Sequence, residues 1–380
     1  MTPQTMAVIT RTFPPDRRGA AMGLWGGVAG LATLVGPILG GVLVDWQGWN
    51  WIFYINVPIG IVAFVLAAWL VPDLETHRHK FDVVGVALSG IGIFLLVFGI
   101  QEGNTRDWDV WTWVMIILGI AVLVLFVVNQ ARSKREPLLP LSLFRDRNFS
   151  MSSIAIAAMG AAVTSLMVPA YFYLEAVREY TPTQAALVFA PMAIVTGLTA
   201  PLIGKISDRM PPRVLPTIGF TVFAVTVFAF SALMTPDSSI VLFLIVAGVA
   251  GLSNSCIWAP LASTATRNLP VHQAGAGAGV YNTTRQIGSV LGSAAISALI
   301  ASRMAAQGLG NAQVGEGGGS AMGKIPEQIA DNFSTALAQS MLLPGAILLI
   351  GVVASALFVG QGSQQDTAPE SDADKAEVAG

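Results

Sequence analysis

The chain has 380 residues, of which 54% are hydrophobic, 11% are charged and 39 are glycine, and its formal net charge is −2. Soluble domains carry about 25% charged residues, so this composition excludes an ordinary soluble enzyme, and the lack of excess positive charge argues against a nucleic-acid-binding protein. One cysteine and three histidines form no cluster in the sequence, so neither a disulfide nor a metal or cofactor site is expected.

Ten apolar stretches follow one another along the chain, and each is long enough to cross a hydrocarbon core of about 30 Å as a helix. Because a helix satisfies its own backbone hydrogen bonds in lipid, the sequence predicts an all-α, polytopic transmembrane helical bundle with about ten complete spans. The predicted spans are residues 20–44, 51–71, 83–101, 110–129, 151–174, 184–203, 214–234, 240–261, 276–302 and 334–360.

The basic residues predict how the spans are oriented. With the N-terminal arginines in the cytoplasm, fourteen basic residues fall in inside loops and four in outside loops. This asymmetry follows the positive-inside rule. It predicts a multi-pass protein of the inner (plasma) membrane whose C-terminus is cytoplasmic. Six tryptophans flank two predicted outer loops, where amphipathic rings prefer the headgroup level.

A glycine-rich motif lies in the first predicted span. Gly23, Gly36, Gly40 and Gly41 belong to a run of glycines at mostly three- and four-residue steps, and Pro37 interrupts the helical hydrogen bonding. Glycine allows close backbone contact between helices in lipid, where hydrophobic association is weak. The motif therefore indicates either a moving contact between two helix bundles or ordinary tight packing.

A second motif follows the sixth predicted span, in an inside loop that contains Gly204, Asp208, Arg209 and Arg213. Asp208 could cap the next helix or pair with a basic residue of a neighbouring helix. Such a contact would hold a cytoplasmic gate closed in one conformation. The alternative is a solvated basic turn that only obeys the topology rule.

Polar residues within the spans are candidates for a central cavity. Arg285 is the only basic residue well inside a predicted span, and an intramembrane charge usually faces a cavity or a partner; the alternative is an arginine that extends to the interface. Glu175 is either part of an outer vestibule or a solvated helix end. The full set of cavity candidates is Tyr171, Glu175, Asn254, Tyr281, Asn282 and Arg285.

These motifs resemble the major facilitator superfamily, and in particular its fourteen-span drug:proton antiporter (multidrug efflux) family. The glycine motif matches the antiporter signature, the loop of Asp208 and Arg209 matches the cytoplasmic loop motif of the second half, and Asn282, Arg285 and Gly288 match a pattern of a late helix. On the family's map the chain lacks the N-terminal three to four helices.

The resemblance also implies a division of the chain. Residues 1–71 correspond to the C-terminal part of the first helix bundle (the end of helix four, with helices five and six), and 72–130 to two extra linker helices. Residues 131–149 form a cytoplasmic linker and 150–360 a second six-helix bundle. Residues 361–380 form an acidic tail whose composition predicts disorder.

The function implied is a secondary active transporter that exports drugs or small amphipathic metabolites across the plasma membrane by proton antiport with alternating access. The expected partners are the lipid bilayer, small hydrophobic or cationic substrates and protons, with no nucleic acid, no enzyme activity and an accessory envelope protein left open. Two alternatives remain: a major-facilitator importer or uniporter, and a truncated or partner-dependent membrane fragment without independent transport.

Overall fold

The computed structural model describes residues 32, 35–36, 38–70, 82–103, 105–132, 139–207, 209–266, 268–269, 271–309 and 327–359. These residues are helical or in turns, without a β-strand, and nine of their helical segments are long and apolar enough to cross a membrane. The predicted all-α transmembrane bundle is confirmed. Most of the predicted span 20–44 and the whole tail 361–380 lie outside the described residues.

We number the described helices in chain order. They are α1 (Asn50–Tyr54), α2 (Asn56–Leu70), α3 (Val83–Glu102), α4 (Val110–Arg132), α5 (Arg147–Phe172), α6 (Pro182–Ser207), α7 (Val214–Leu233), α8 (Ile240–Thr266), α9 (Val271–Ala306), α10 (Glu327–Ser340) and α11 (Leu342–Ala356). Residues 38–47, which we call the motif helix, are also helical. α5 continues into a π-helical turn at Tyr173–Val177. Two of the nine spans, Asn50–Leu70 and Ile329–Ala356, each contain two helices.

Aspartates fix the starts of three helices. The carboxylates of Asp82, Asp109 and Asp146 each accept the backbone N–H of the residue three positions later, at 2.7–2.9 Å. A carboxylate at this position satisfies a free donor and opposes the positive end of the helix dipole. The cap at Asp146 explains why α5 begins at Arg147, four residues before the predicted start of that span.

α3 and α4 pack against each other as a hairpin through glycines. Gly85, Gly92 and Gly99 lie seven residues apart and are the buried residues of α3. Gln130 closes one end of the hairpin: its Nε2 donates to Asp82 Oδ2 at 2.7 Å, and its Oε1 accepts from the backbone N–H of Leu139 at 3.0 Å. The second of these bonds attaches Leu139 to the hairpin.

The helices from α5 to α11 form the main body, and α5 is its central helix. α5 packs against α8, α9 and α11, while α6 packs against α8, and α7 packs against both α8 and α11. The core contains large side chains that are fully buried, among them Phe149, Leu166, Phe220 and Phe223. This body contains the second loop motif and the cavity candidates, whereas the glycine motif lies outside it.

α5 and α9 approach so closely that glycine is required between them. A Cβ atom at Gly288 would overlap the carbonyl oxygen of Ala157, and one at Gly292 would overlap that of Ala161. The Ser165 hydroxyl also donates to the carbonyl oxygen of Gly292 at 2.9 Å. Small residues and interhelical hydrogen bonds are the interactions that hold helices together in lipid.

The outer end of α5, as predicted from the topology, is bonded to the loop between α7 and α8. The Tyr173 hydroxyl donates to the carbonyl oxygen of Thr235 at 2.6 Å. The Arg178 guanidinium donates to the carbonyl oxygens of Pro236 and Ser238 at 2.6 and 2.8 Å. Three loop carbonyls are thereby satisfied by side chains of one neighbouring helix end.

Candidate functional site

The motif helix contacts the start of α6 at a glycine. Gly41 is buried, and a Cβ atom added there would lie 2.7 Å from the Cα atom of Thr183 and 2.8 Å from its nitrogen. One turn later, Asp45 Oδ2 accepts the backbone N–H of Thr183 at 3.2 Å. A carboxylate is favourable at a helix N-terminus, where backbone donors are free. Gly41 and Asp45 therefore dock the motif helix onto the N-terminus of α6.

The other residues of the glycine motif do not share this contact in the described structure. No described atom lies within 4 Å of a Cβ position at Gly36 or at Gly40, while Gly23 and Pro37 lie outside the described residues. The spacing of the glycines predicted a contact along a helix face. Of the motif glycines whose surroundings are described, Gly41 is the one that makes it.

Glu175 lies beside this docking contact. It is half-buried in the π-helical turn at the end of α5, and its carboxylate is near enough to Asp45 and Tyr171 for electrostatic interaction. The ring of Tyr171 is 5.5 Å from that of Phe189 on α6. π-Helical turns are often found at functional sites. The structure thus brings Glu175, Tyr171 and Asp45 together at the edge between the motif helix, α5 and α6.

The loop after α6 is exposed where it is described. Gly204 lies in the last turn of α6 with open space beside it, and Arg209 and Arg213 are exposed and make no ion pair with any described residue. Asp208 lies outside the described residues. Arg213 and Arg147 line a cavity of about 390 Å³ at the end of α11.

The remaining cavity candidates fall into two groups. The Asn254 amide is buried in α8, where its Oδ1 accepts from Trp258 Nε1 at 2.7 Å, and the Asn282 amide donates to the carbonyl oxygen of Ala278 within α9 at 3.0 Å. Both amide groups therefore already form a hydrogen bond within their own helix. Tyr281 and Arg285, one turn apart on α9, interact electrostatically.

The Tyr281 hydroxyl is buried and has no hydrogen-bond partner among the described residues, and Arg285 is half-buried. A buried polar group without a partner is uncommon, because it forfeits its bonds to water. Among the described cavity candidates, Tyr281 is therefore the residue whose buried polar group is left without a protein partner.

Sequence reasoning missed the role of Asp45 and Thr183. Asp45 follows Gly41 by four residues, so both lie on one helix face, and that spacing was a usable signal. Thr183 gave no signal, because its importance comes from an approach of two segments that are far apart in the sequence.

Comparison with known proteins identifies the family of this helical architecture. The family profile described as Major Facilitator Superfamily matches residues 1–293. The chain belongs to the Major Facilitator Superfamily. Its architecture agrees, since it aligns with a TM-score of 0.56 and 18% identity to a bacterial homolog of the human lysosomal transporter Spinster, over 93% of this chain and 72% of that one. At this identity the similarity shows the shared fold.

Curated relatives in the superfamily include drug exporters. The chain is 47% identical to the uncharacterized MFS-type transporter Rv1250 of Mycobacterium tuberculosis, over 98% of this chain and 66% of that protein. It is 30% identical to the multidrug export protein EmrB of Haemophilus influenzae (76% and 58% covered) and 26% identical to the tetracenomycin C resistance and export protein of Streptomyces glaucescens (97% and 74% covered). The chain therefore spans somewhat less than two thirds of the length of the first two.

Proposed function

We propose that this major facilitator protein is a secondary active transporter that exports drugs or small amphipathic metabolites across the plasma membrane by proton antiport. Two of the relatives reported above are named as export proteins, and nine helical segments of the described residues are long and apolar enough to cross a membrane. The single observation that carries the mechanism is the contact of Gly41 and Asp45 with the N-terminus of α6.

The contact suits a rocking motion of one helix group against another. At Gly41 the motif helix faces the backbone of α6 directly, so no side chain interlocks the two helices at this position. One hydrogen bond, from Thr183 to Asp45, would have to break when the two segments part. In alternating access, such motions of helix groups around a fixed site expose the substrate to each side in turn.

Proton coupling requires an ionisable group whose surroundings differ between the two conformations. We assign this role to Glu175, because it lies half-buried at the edge that would open and interacts with Asp45 of the motif helix. The loop of Asp208 and Arg209 is proposed as the gate on the opposite, cytoplasmic face. In this arrangement the C-terminus is cytoplasmic and an ion gradient supplies the energy.

A second candidate is a protein that transports only together with additional helices or a partner. The specific observation in its favour is α2, which has no buried residue in the described structure. An apolar helix with no buried residue is compatible with lipid, and it also offers a surface for a further helix. An importer differs from an exporter in the direction in which the dye moves in the transport measurement below.

The test uses the purified chain in proteoliposomes with an imposed pH gradient and a fluorescent cationic dye. We expect the unmodified chain to move the dye against the proton flow. Gly41→Leu would force a side chain into the backbone of Thr183, so dye movement should fall at least tenfold. Gly40→Leu, the neighbouring glycine with open space beside it, is the matched control and should retain most of the activity.

The outcomes separate the candidates. A chain that inserts but moves no dye contradicts the independent transporter and supports the partner-dependent one. Dye movement down its own gradient without proton flow supports a uniporter. Equal activity of the Gly41→Leu variant and the unmodified chain would show that the docking contact plays no part in transport.

A further inference from the structure

A groove of about 550 Å³ opens on the surface of the main body between α5, α9 and α11. Its floor consists of small residues of α5 and α9, such as Ala157 and Gly288, and Ile347 and Ile350 of α11 form one wall. Ile350 is 52% exposed, so the groove is open at the side, toward the surroundings of the bundle. Its volume lies within the range of about 300–1,000 Å³ that is usual for sites of small molecules.

One polar group in the groove lacks a partner. Ser153 is one of the lining residues and is 2% exposed, and its buried hydroxyl makes no hydrogen bond to any described residue. The other hydroxyls in the lining are satisfied: Ser150 donates to the carbonyl oxygen of Phe144 at 2.6 Å and Thr284 donates to that of Val280 at 2.9 Å. A buried hydroxyl without a partner is costly, so Ser153 offers a donor to an occupant of the groove.

The groove leads to a basic site at the start of α5. Arg147, Ser150, Ile154, Ala157 and Ala161 are separated by steps of three and four residues, so they share one face of the helix. Four of these five residues line the groove, and Arg147 extends the same face beyond it. The groove is thus continuous along α5 with an exposed guanidinium.

Arg147 also borders the second cavity. It lines the 390 Å³ space at the end of α11 together with Arg213, and neither arginine makes an ion pair with a described residue. Basic pockets between helices on the cytoplasmic side of a membrane are suited to lipid headgroups. By the positive-inside rule, this end of α5 is the cytoplasmic one.

We propose that the groove and the arginine cavity together bind one anionic phospholipid of the inner leaflet. The phosphate lies between Arg147 and Arg213, one acyl chain lies in the groove, and Ser153 donates a hydrogen bond to an ester carbonyl. The rise of 1.5 Å per residue puts Ser153 about 9 Å along the axis from Arg147, and ester groups lie deeper in the bilayer than the phosphate.

Two features select this occupant. A free phosphate would leave the apolar groove empty, and an uncharged lipid would leave both guanidinium groups without a counter-charge. Guanidinium groups bind phosphate oxygens with two parallel hydrogen bonds. The proposal concerns binding alone and is independent of the transport function proposed above.

The test uses the whole 380-residue chain, purified and delipidated in detergent. Native mass spectrometry counts retained lipid and a thermal melt reports stabilisation, with phosphatidylglycerol, phosphatidylcholine or inorganic phosphate added. We expect one phosphatidylglycerol molecule per chain and a raised melting temperature, with little effect of the other two additives. Arg147→Gln should weaken phosphatidylglycerol binding about fivefold, as the loss of one near-surface cation predicts. Arg132→Gln, the same charge change at the end of α4, should leave it unchanged.

A second pair of variants tests the groove directly. Ile350→Trp should fill the groove from its open side and reduce retention of phosphatidylglycerol several-fold. Leu349→Trp is the matched control, because Leu349 is similarly exposed on α11 and does not line the groove. The proposal is overturned if phosphatidylcholine binds as well as phosphatidylglycerol, if phosphate alone stabilises the chain equally, or if binding is unchanged in either Arg147→Gln or Ile350→Trp.

Discussion

α4 and α5 show opposite relations between hydropathy and burial. The most apolar window of α4 has a mean hydropathy of 2.8 and is 11% buried, whereas that of the span Arg147–Val177, which contains α5, has a mean hydropathy of 1.8 and is 61% buried. In a soluble protein the more apolar helix would be the more enclosed one. In lipid, large apolar side chains gain little from a protein neighbour, so helices associate through small and polar residues.

The residues of the two helices show the same rule at finer scale. Ile117, Val124 and Leu125 of α4 are all more than half exposed. The residues of α4 that are buried include Thr112 and Gly119, and those of α5 include Gly160, Ser152 and Ser165. Small and hydroxyl-bearing side chains are therefore frequent on the faces on which this protein packs against itself, beside large buried side chains such as Leu166.

The largest expected effect comes from enlarging a glycine between two helices. Gly288→Leu in α9 would push a side chain into the backbone of Ala157, and overpacking of this kind costs about 1–3 kcal/mol or more. We expect loss of most folded protein in detergent, measured by size-exclusion chromatography and thermal melting. Gly279→Leu, on the same helix with open space beside it, should fold normally. Equal stability of the two variants would contradict the conclusion that close packing of α5 against α9 requires glycine at position 288.

An intermediate effect is expected from shortening a leucine. Leu166 of α5 is fully buried, so Leu166→Ala leaves a cavity, and we expect a loss of about 2 kcal/mol, near the lower end of the usual range. Leu125 of α4 is 54% exposed, and Leu125→Ala should change the stability by less than about 0.5 kcal/mol. Reversible unfolding in mixed micelles measures both. A similar cost at the two positions would mean that α4 has a protein neighbour at Leu125.

The smallest effect concerns the cap that starts α4. Hydrogen bonds from the backbone N–H and hydroxyl of Thr112 lower the pKa of the Asp109 carboxyl. Because the folded-state pKa is depressed, the stabilisation is present at neutral pH and is lost as the pH falls through that pKa. Asp109→Ala should lower the melting temperature slightly at pH 7, and this difference should disappear in acid. A difference that persists below the depressed pKa would exclude the charge of the cap as its cause.

The sequence was sufficient to predict the spans because hydropathy and helix length are local properties. The nine described spans follow the predicted ones within a few residues at most ends, and the shifted start of α5 has a local cause in the cap at Asp146. The last span was predicted from 334 and begins at Ile329, because α10 is amphipathic and less apolar than α11.

The site was harder to predict because it depends on which faces meet. Glycine spacing indicated a contact face on the motif helix without showing that Gly41 would meet Thr183. Tyr281 and Arg285 were each candidates for the predicted cavity, and the structure shows that the two interact. Asn254 was also a candidate for the cavity, and only the structure shows that its Oδ1 accepts a hydrogen bond from Trp258.

The bonds between the end of α5 and the loop after α7 have a mechanical consequence. Tyr173 and Arg178 hold three carbonyl groups of that loop, so the ends of α5, α7 and α8 are tied by short, directional bonds rather than by a slack connection. These hydrogen bonds couple the three helix ends, so a displacement of one end is resisted by its bonds to the other two. If the helix groups rock as proposed above, the outer ends of α5, α7 and α8 would move together as one unit, and the two groups would part at the contact between the motif helix and α6.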